Sequence, residues 1–207
     1  MGDQGADEAM DDLDAVRADV FRRLARAAKD RRSAMHTPVI GSVRADGMPS
    51  QRVMVLRAFD PSNATLRFHT DARAAKTSDL GDGGPISVLC YDPGAKRQFR
   101  LSGAGRIEAE GAVADQAWAA ATLFARRCYL ADPAPGTISE RPVSGLSPEL
   151  EGRLPDGEAE VAPGRANFAV LLAQIDTIEF LHLAHTGHRR AIFRREGKAW
   201  HGQWLVP

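Results

Sequence analysis

The chain has 207 residues, 27 Lys+Arg balanced by 27 Asp+Glu, 43% hydrophobic and 26% charged residues, and two cysteines. That length suits one domain that buries its core without a disulfide or metal staple, and zero net charge supplies no field to steer it onto nucleic acid or an anionic membrane. Cys90 and Cys128 stand far apart with no CxxC or Cys/His companions, no apolar h-region opens the chain and no apolar run reaches the ~20 residues that span a bilayer, so a reduced cytoplasmic protein is expected.

Residues 1–12 are small, acidic and glycine-containing, and are expected to form a disordered tail ahead of a single domain over 13–207. Leu13, Val16, Val20, Leu24 and Ala27 recur at helical spacing behind Asp11 or Asp12 as N-cap, which predicts a helix from Leu13 to Lys29. The cations at its far end, Arg22, Arg23, Arg26, Lys29, Arg31 and Arg32, read as a solvated face in a chain that is not basic overall.

From Pro38 the texture changes to strands and turns. Val39–Arg44 reads as a strand, Ala45-Asp46-Gly47 as a hairpin turn and Gln51–Phe59 as one returning strand. After the turn Asp60-Pro61-Ser62-Asn63 come a third strand, Ala64–Thr70, and a short helix within Asp71–Leu80. Ile86–Tyr91 and Gln98–Glu108 follow as strands across the Asp92-Pro93-Gly94 turn. Ala112–Arg127 reads as a helix with Trp118 and Phe124 on its buried side, and Ala131–Gly164 as a long Pro/Gly-rich loop. Asn167–Leu183, His188–Arg195 and Lys198–Val206 close the chain as strands. Many antiparallel strands with two or three peripheral helices predict a mainly β (α+β) barrel or sandwich rather than a βαβ sheet.

No GxSxG elbow, Walker loop or HExxH is present. Gly103-Ala104-Gly105 lies on a strand and opens no helix, so a bulge or a close backbone approach is expected there. His182, His185 and His188 do not converge on a regular strand, and no metal is expected. Polar residues interrupt apolar strands at Arg52, at Thr70 and at Gln98 with Arg100, and Lys76 follows in the short helix. Arg52, Lys76 and Thr70 have the chemistry to grip a phosphate if the first three strands are neighbours. An edge-strand arginine beside a solvated lysine accounts for the same residues equally well.

Taken in order, Arg52-Val53-Met54-Val55-Leu56-Arg57, Phe68-His69-Thr70, Lys76 and Arg97-Gln98-Phe99-Arg100-Leu101-Ser102-Gly103 resemble the pyridoxamine 5'-phosphate oxidase family. Ile178-Glu179-Phe180, Arg190 and the terminal Trp204-Leu205-Val206-Pro207 are similar to its closing signature, and the likeness runs from about Met35 to Pro207. The resemblance implies a split β-barrel that dimerises with FMN between the subunits. It implies Arg52 and Lys76 on the FMN phosphate with Thr70 assisting, and His69 in the same binding segment. Val53, Met54, Val55 and Leu56 would line the isoalloxazine through their backbone, with Arg57 near flavin or substrate and Gln98 on the ring's polar edge. Arg190 and His188 would stand at the redox end as catalytic residues. The implied reaction is hydride transfer from a small molecule, a B6 phosphate among the options, to FMN, with oxygen as acceptor.

The chain departs from the family pattern on the substrate side. Leu181 stands where the family has tryptophan, Thr186 and Gly187 replace an arginine and its neighbour, and Arg189 replaces an aspartate. Arg57 replaces a lysine and Ala75 an arginine, for which Arg73 is a candidate substitute. An NAD(P)H-dependent flavin reductase of the same fold, or a barrel that binds a ligand without catalysis, are the alternatives.

Overall fold

A computed structural model describes residues 11–207. Most of the expected tail, residues 1–10, lies outside the described residues. Asp12 caps the first helix, α1 (Leu13–Lys29), its carboxylate accepting the Ala15 N–H at 2.7 Å. The helix buries Val16, Val20, Leu24 and Ala27, as the apolar spacing predicts. Its cations are met by the chain's own acids: Arg22, Arg23 and Arg97 converge on Asp19, and Arg26 pairs with Asp30. Burial works against the Asp19 charge, yet the hydrogen bond and charge of Arg23, with the charge of Arg97, keep its carboxyl below the usual range.

Among the described residues, nine strands form one antiparallel sheet: β1 (Val39–Val43), β2 (Pro49–Val53), β3 (Leu56–Asp60), β4 (Thr65–Asp71), β5 (Gly84–Asp92), β6 (Arg97–Glu108), β7 (Phe168–His182), β8 (Arg189–Glu196) and β9 (Ala199–Leu205). Their order is β2-β1-β5-β6-β7-β4-β3, with β8 on β7 and β9 on β8. Four helices follow α1, namely α2 (Ala75–Leu80), α3 (Ala112–Ala120), α4 (Leu123–Arg127) and α5 (Glu158–Val161).

The run expected as one strand over 51–59 is two. It breaks at Met54-Val55, so that β2 pairs with β1 while β3 pairs with β4 at the far end of the order. Alternation reports which side chains face the core and is silent about which neighbour a strand pairs with. The break also closes the barrel. Val53 and Leu56 are three residues apart in sequence, a reach of about 11 Å at most, so the two ends of the sheet order must meet. The first three predicted strands are therefore not consecutive neighbours; curvature alone brings β2 beside the end of β4.

Phe68, Phe99, Phe180, Phe193, Leu56 and Leu101 fill the interior. A smaller cluster joins Ala114 and Ala117 of α3 to Phe168, Val170 and Leu172 on the outer side of β7. The predicted helix over 112–127 is broken at Ala121-Thr122, where the Thr122 hydroxyl caps α4 by accepting the Ala125 N–H at 3.2 Å. The break redirects α4 so that Arg126, and not Phe124, meets Trp118, its guanidinium 5.3 Å from the indole ring centre. Phe124 is consequently 55% exposed rather than buried, with the Arg127 guanidinium over its ring. The loop over 131–164 contains α5 and is pinned by arginines: Arg73 donates to the Ala131 carbonyl at 2.8 Å, Arg127 to that of Leu150 at 3.2 Å, and Arg126 pairs with Glu158. Gly103 sits at a register shift between β6 and β7, where an added Cβ would lie 1.9 Å from the Gln174 carbonyl oxygen. Both the bulge and the close approach expected there are present.

Candidate functional site

The predicted site residues fall into three groups. The first is on the inward side of β2, β1 and β4. The β1·β2 register sets Ser42 opposite Ser50 and Ile40 opposite Arg52, so both serines and Arg52 share a face with the buried Ile40. Arg52 Nη1 donates to Ser42 Oγ and Nη2 to Ser50 Oγ, each at 2.7 Å. Lys76, in the first turn of α2, donates through Nζ to Thr70 Oγ1 at 3.0 Å, and Thr70 is buried.

Burial pushes the Lys76 ammonium below its ordinary value, the Arg52 charge adds to that, and Asp71 opposes it only in part. Burial likewise lowers Arg52, with Asp79 opposing. Among the described residues neither cation forms an ion pair. Two half-buried cations that repel each other, with no acid in contact, carry an electrostatic cost that a dianion would reverse. Arg73 does not substitute at the place of Ala75. It is bound to the Asp71 carboxylate at 2.8 Å and to the start of the long loop. Ser42 and Ser50 escaped the sequence reading, although inward-facing polar residues two positions from Ile40 and Arg52 were a usable signal.

The second group faces the opposite way. Thr70 and His69 are successive residues of β4, so Thr70 points inward and His69 outward. His69, Arg67 and Arg57 line a cleft of about 270 Å³ together with Lys29, Arg31 and His36, against a wall of alanines from α3 and α4. A register shift between Leu56 and Ala58 releases Arg57 from the β3·β4 ladder. Among the described residues no acid lines this cleft. Among the described residues His69 Nε2 is buried without a hydrogen-bond partner, and burial followed by the charges of Arg57 and Arg67 lowers the imidazole to about 4.

That shift has a measurable consequence. Unfolded His69 takes up a proton near pH 6.5, whereas the folded imidazole resists until about 4, so the unfolded state binds more protons in between. The contribution is fully present above 6.5 and is lost as the pH falls toward 4. After discounting for partial exposure the loss is about 1–2 kcal/mol. Urea midpoints measured from pH 7 to 4 should fall less steeply in His69→Gln than in the unsubstituted chain; equal slopes would contradict this placement.

The third group lies on the outer face of the sheet. Gln98 stands opposite Tyr91 on β5 and Leu181 on β7, and Leu181 stands opposite Arg190 on β8. Arg190 donates to Glu179 Oε2 from Nη2 at 2.7 Å and from Nε at 3.2 Å, and Arg100 reaches the other carboxylate oxygen at 3.3 Å. His188 lies in the β7–β8 connection, its Nδ1 3.1 Å from the Ala184 carbonyl. Val53 is 64% exposed on the same outer face, in register through Val39 and Leu89 with Arg100. Met54 and Val55 occupy the break between β2 and β3, and the Leu56 side chain belongs to the core.

Residues 18–109 match the family model for the pyridoxamine 5'-phosphate oxidase FMN-binding domain. Over that span the chain is similar to the pyridoxamine 5'-phosphate oxidase family. A pyridoxine/pyridoxamine 5'-phosphate oxidase of Aeromonas hydrophila is 26% identical over 95% of this chain and 92% of its own length. A pyridoxamine 5'-phosphate oxidase-related, FMN-binding protein of Nostoc punctiforme has the same fold, with a TM-score of 0.70 and 22% identity over 92% of this chain and 96% of that one. PhzG of Burkholderia lata, solved with tetrahydrophenazine-1-carboxylic acid, superposes with a TM-score of 0.68 and 20% identity, covering 92% and 91%. The fold is the antiparallel split barrel of this family. FMN is the cofactor of the family's matched domain, and the first group fits it chemically: two cations without an ionic partner beside three hydroxyl groups suit a phosphate dianion.

Proposed function

We propose that the protein is an FMN-dependent oxidoreductase in which Arg52 and Lys76 hold the FMN phosphate. The observation that carries this reading is the repelling, half-buried pair of cations with no acid in contact. Thr70 fixes the Lys76 ammonium, and at the strand break the Met54 N–H goes to the Pro38 carbonyl at 3.1 Å while the Val55 backbone stands outside the sheet ladder for the flat face of the ring. Gln98 offers an amide to the ring's polar edge. Arg190 shares the Glu179 carboxylate with Arg100, a group that keeps one net positive charge near the redox end, with His188 two residues before it. The chemistry that FMN supplies when bound is acceptance of a hydride from a small molecule, with oxygen as final acceptor.

These groups lie on different faces of one chain, and a second copy is proposed to bring them together. The outer face of β2, β1 and β5 presents Val53, Leu89 and Tyr91 to solvent, an apolar surface suited to a homodimer with FMN at its interface. The cleft lined by Arg57, Arg67 and His69 gives an anionic substrate a place of matching charge, and a B6 phosphate is one candidate. A second substrate class is favoured by Thr186 and Gly187, which stand where the family signature has a cationic clamp. A cyclic carboxylic acid, like the ligand of the Burkholderia protein, carries a single charge that the cleft can meet without that clamp.

Oxygen uptake by the FMN-loaded protein with pyridoxamine 5'-phosphate, compared with NADH oxidation under the same conditions, separates the possibilities. Uptake with an anionic amine or ring substrate is expected. A cyclic carboxylic acid assayed in parallel covers the second substrate class; NADH oxidation alone would replace the reading with a flavin reductase, and a flavin that turns over with none of the three would leave a binding protein.

A further inference from the structure

We propose that Ser42 and Ser50 are positioning residues that aim the Arg52 guanidinium at the FMN phosphate, an inference that rests on Arg52 being a phosphate ligand. Both ends of the guanidinium fork are engaged, Nη1 by Ser42 and Nη2 by Ser50, each at 2.7 Å. An arginine carries five N–H donors. Two are used here, and Nε–H with the second hydrogen of each Nη remains for an oxyanion. Among the described residues neither serine hydroxyl makes another hydrogen bond, so each is committed to Arg52. Ser42 is itself buried, and the β1·β2 register fixes it directly across from Ser50.

The chemical identity of the two acceptors is the point of the arrangement. A carboxylate at either position would hold Arg52 equally well but would neutralise it and compete with the phosphate. A hydroxyl orients the fork through a neutral dipole and leaves the positive charge intact. The cation is thereby preorganised while Lys76, nearby and of like charge, keeps the local field positive.

The test is the dissociation constant of FMN and of riboflavin, measured by quenching of flavin fluorescence. Riboflavin shares the ring and lacks the phosphate, so a merely structural change shifts both ligands alike. Ser42→Ala and Ser50→Ala are expected to weaken FMN by about three- to tenfold each and leave riboflavin within about twofold. Ser50→Asp is expected to weaken FMN by about 100-fold with no loss of thermal midpoint, because it neutralises Arg52 without unfolding anything. In an Arg52→Ala background Ser42→Ala should cost nothing further. Unchanged FMN affinity in both alanine variants, with Arg52→Ala impaired, overturns the positioning role and leaves the phosphate reading standing. Equal losses for FMN and riboflavin overturn it as well. Unchanged affinity in Arg52→Ala itself overturns the phosphate reading and this inference with it.

Discussion

Arg52→Ala and Lys76→Ala are each expected to reduce FMN affinity by about 10- to 100-fold, since a charge-assisted contact to phosphate contributes about 1–3 kcal/mol. The double variant should lose less than the sum of the two. Each cation raises the cost of the other, burial and the Arg52 charge both depressing Lys76, so removing one relieves strain at its neighbour. For the same reason the flavin-free variants should be at least as thermally stable as the parent chain. A site that is costly when empty and favourable when filled shows affinity and stability moving in opposite directions. Fluorescence titration and thermal melting of the same preparations check both halves. Flavin-free melting points that fall in both variants would show that the cations serve the fold and not a ligand.

Gly103→Ala is expected to destabilise the fold by about 3 kcal/mol or more, at the upper end for an overpacked site. The added Cβ would lie 1.9 Å from the Gln174 carbonyl oxygen and 2.9 Å from its carbon, both backbone atoms of the adjacent strand. No rotamer change relieves such a contact; β6 and β7 must part, and this pair carries the longest ladder in the sheet. Gly47→Ala is a useful contrast. Its Cβ would meet nothing within 4 Å, and only the positive φ of 82° opposes it, a cost of about 1 kcal/mol. Urea unfolding of the two variants should therefore separate steric exclusion at Gly103 from conformational preference at Gly47. Equal costs would contradict the close approach of β6 and β7.

Much of this architecture was legible in the chain because side-chain periodicity is local. Leu13 to Ala27 mark α1 at 3.6 spacing, and alternation in 64–70, 86–91 and 98–108 marks strands whose buried positions match. What escaped depends on partners distant in sequence. The run through Arg52 to Arg57 keeps one alternation while changing neighbours at Met54, and no local pattern records a change of neighbour. The end of α3 rests on one hydroxyl, Thr122, inside an alanine-rich stretch that favours continuous helix. Phe124 then follows the broken axis outward. Arg73 reads in sequence as an available cation and in space as the partner of Asp71. At the candidate site the cations were legible by type and the serines by their inward positions, whereas the pairing of both serines with Arg52 required the register of β1 against β2.

The cations on the inward side of β2 and α2 are proposed to bind the phosphate of FMN. Titration of the unsubstituted protein with FMN and with riboflavin tests it directly. FMN is predicted to bind at one per chain and about 100-fold more tightly than riboflavin, the joint contribution of two phosphate-facing cations. Equal affinity for the two flavins, or no quenching by either, would contradict it.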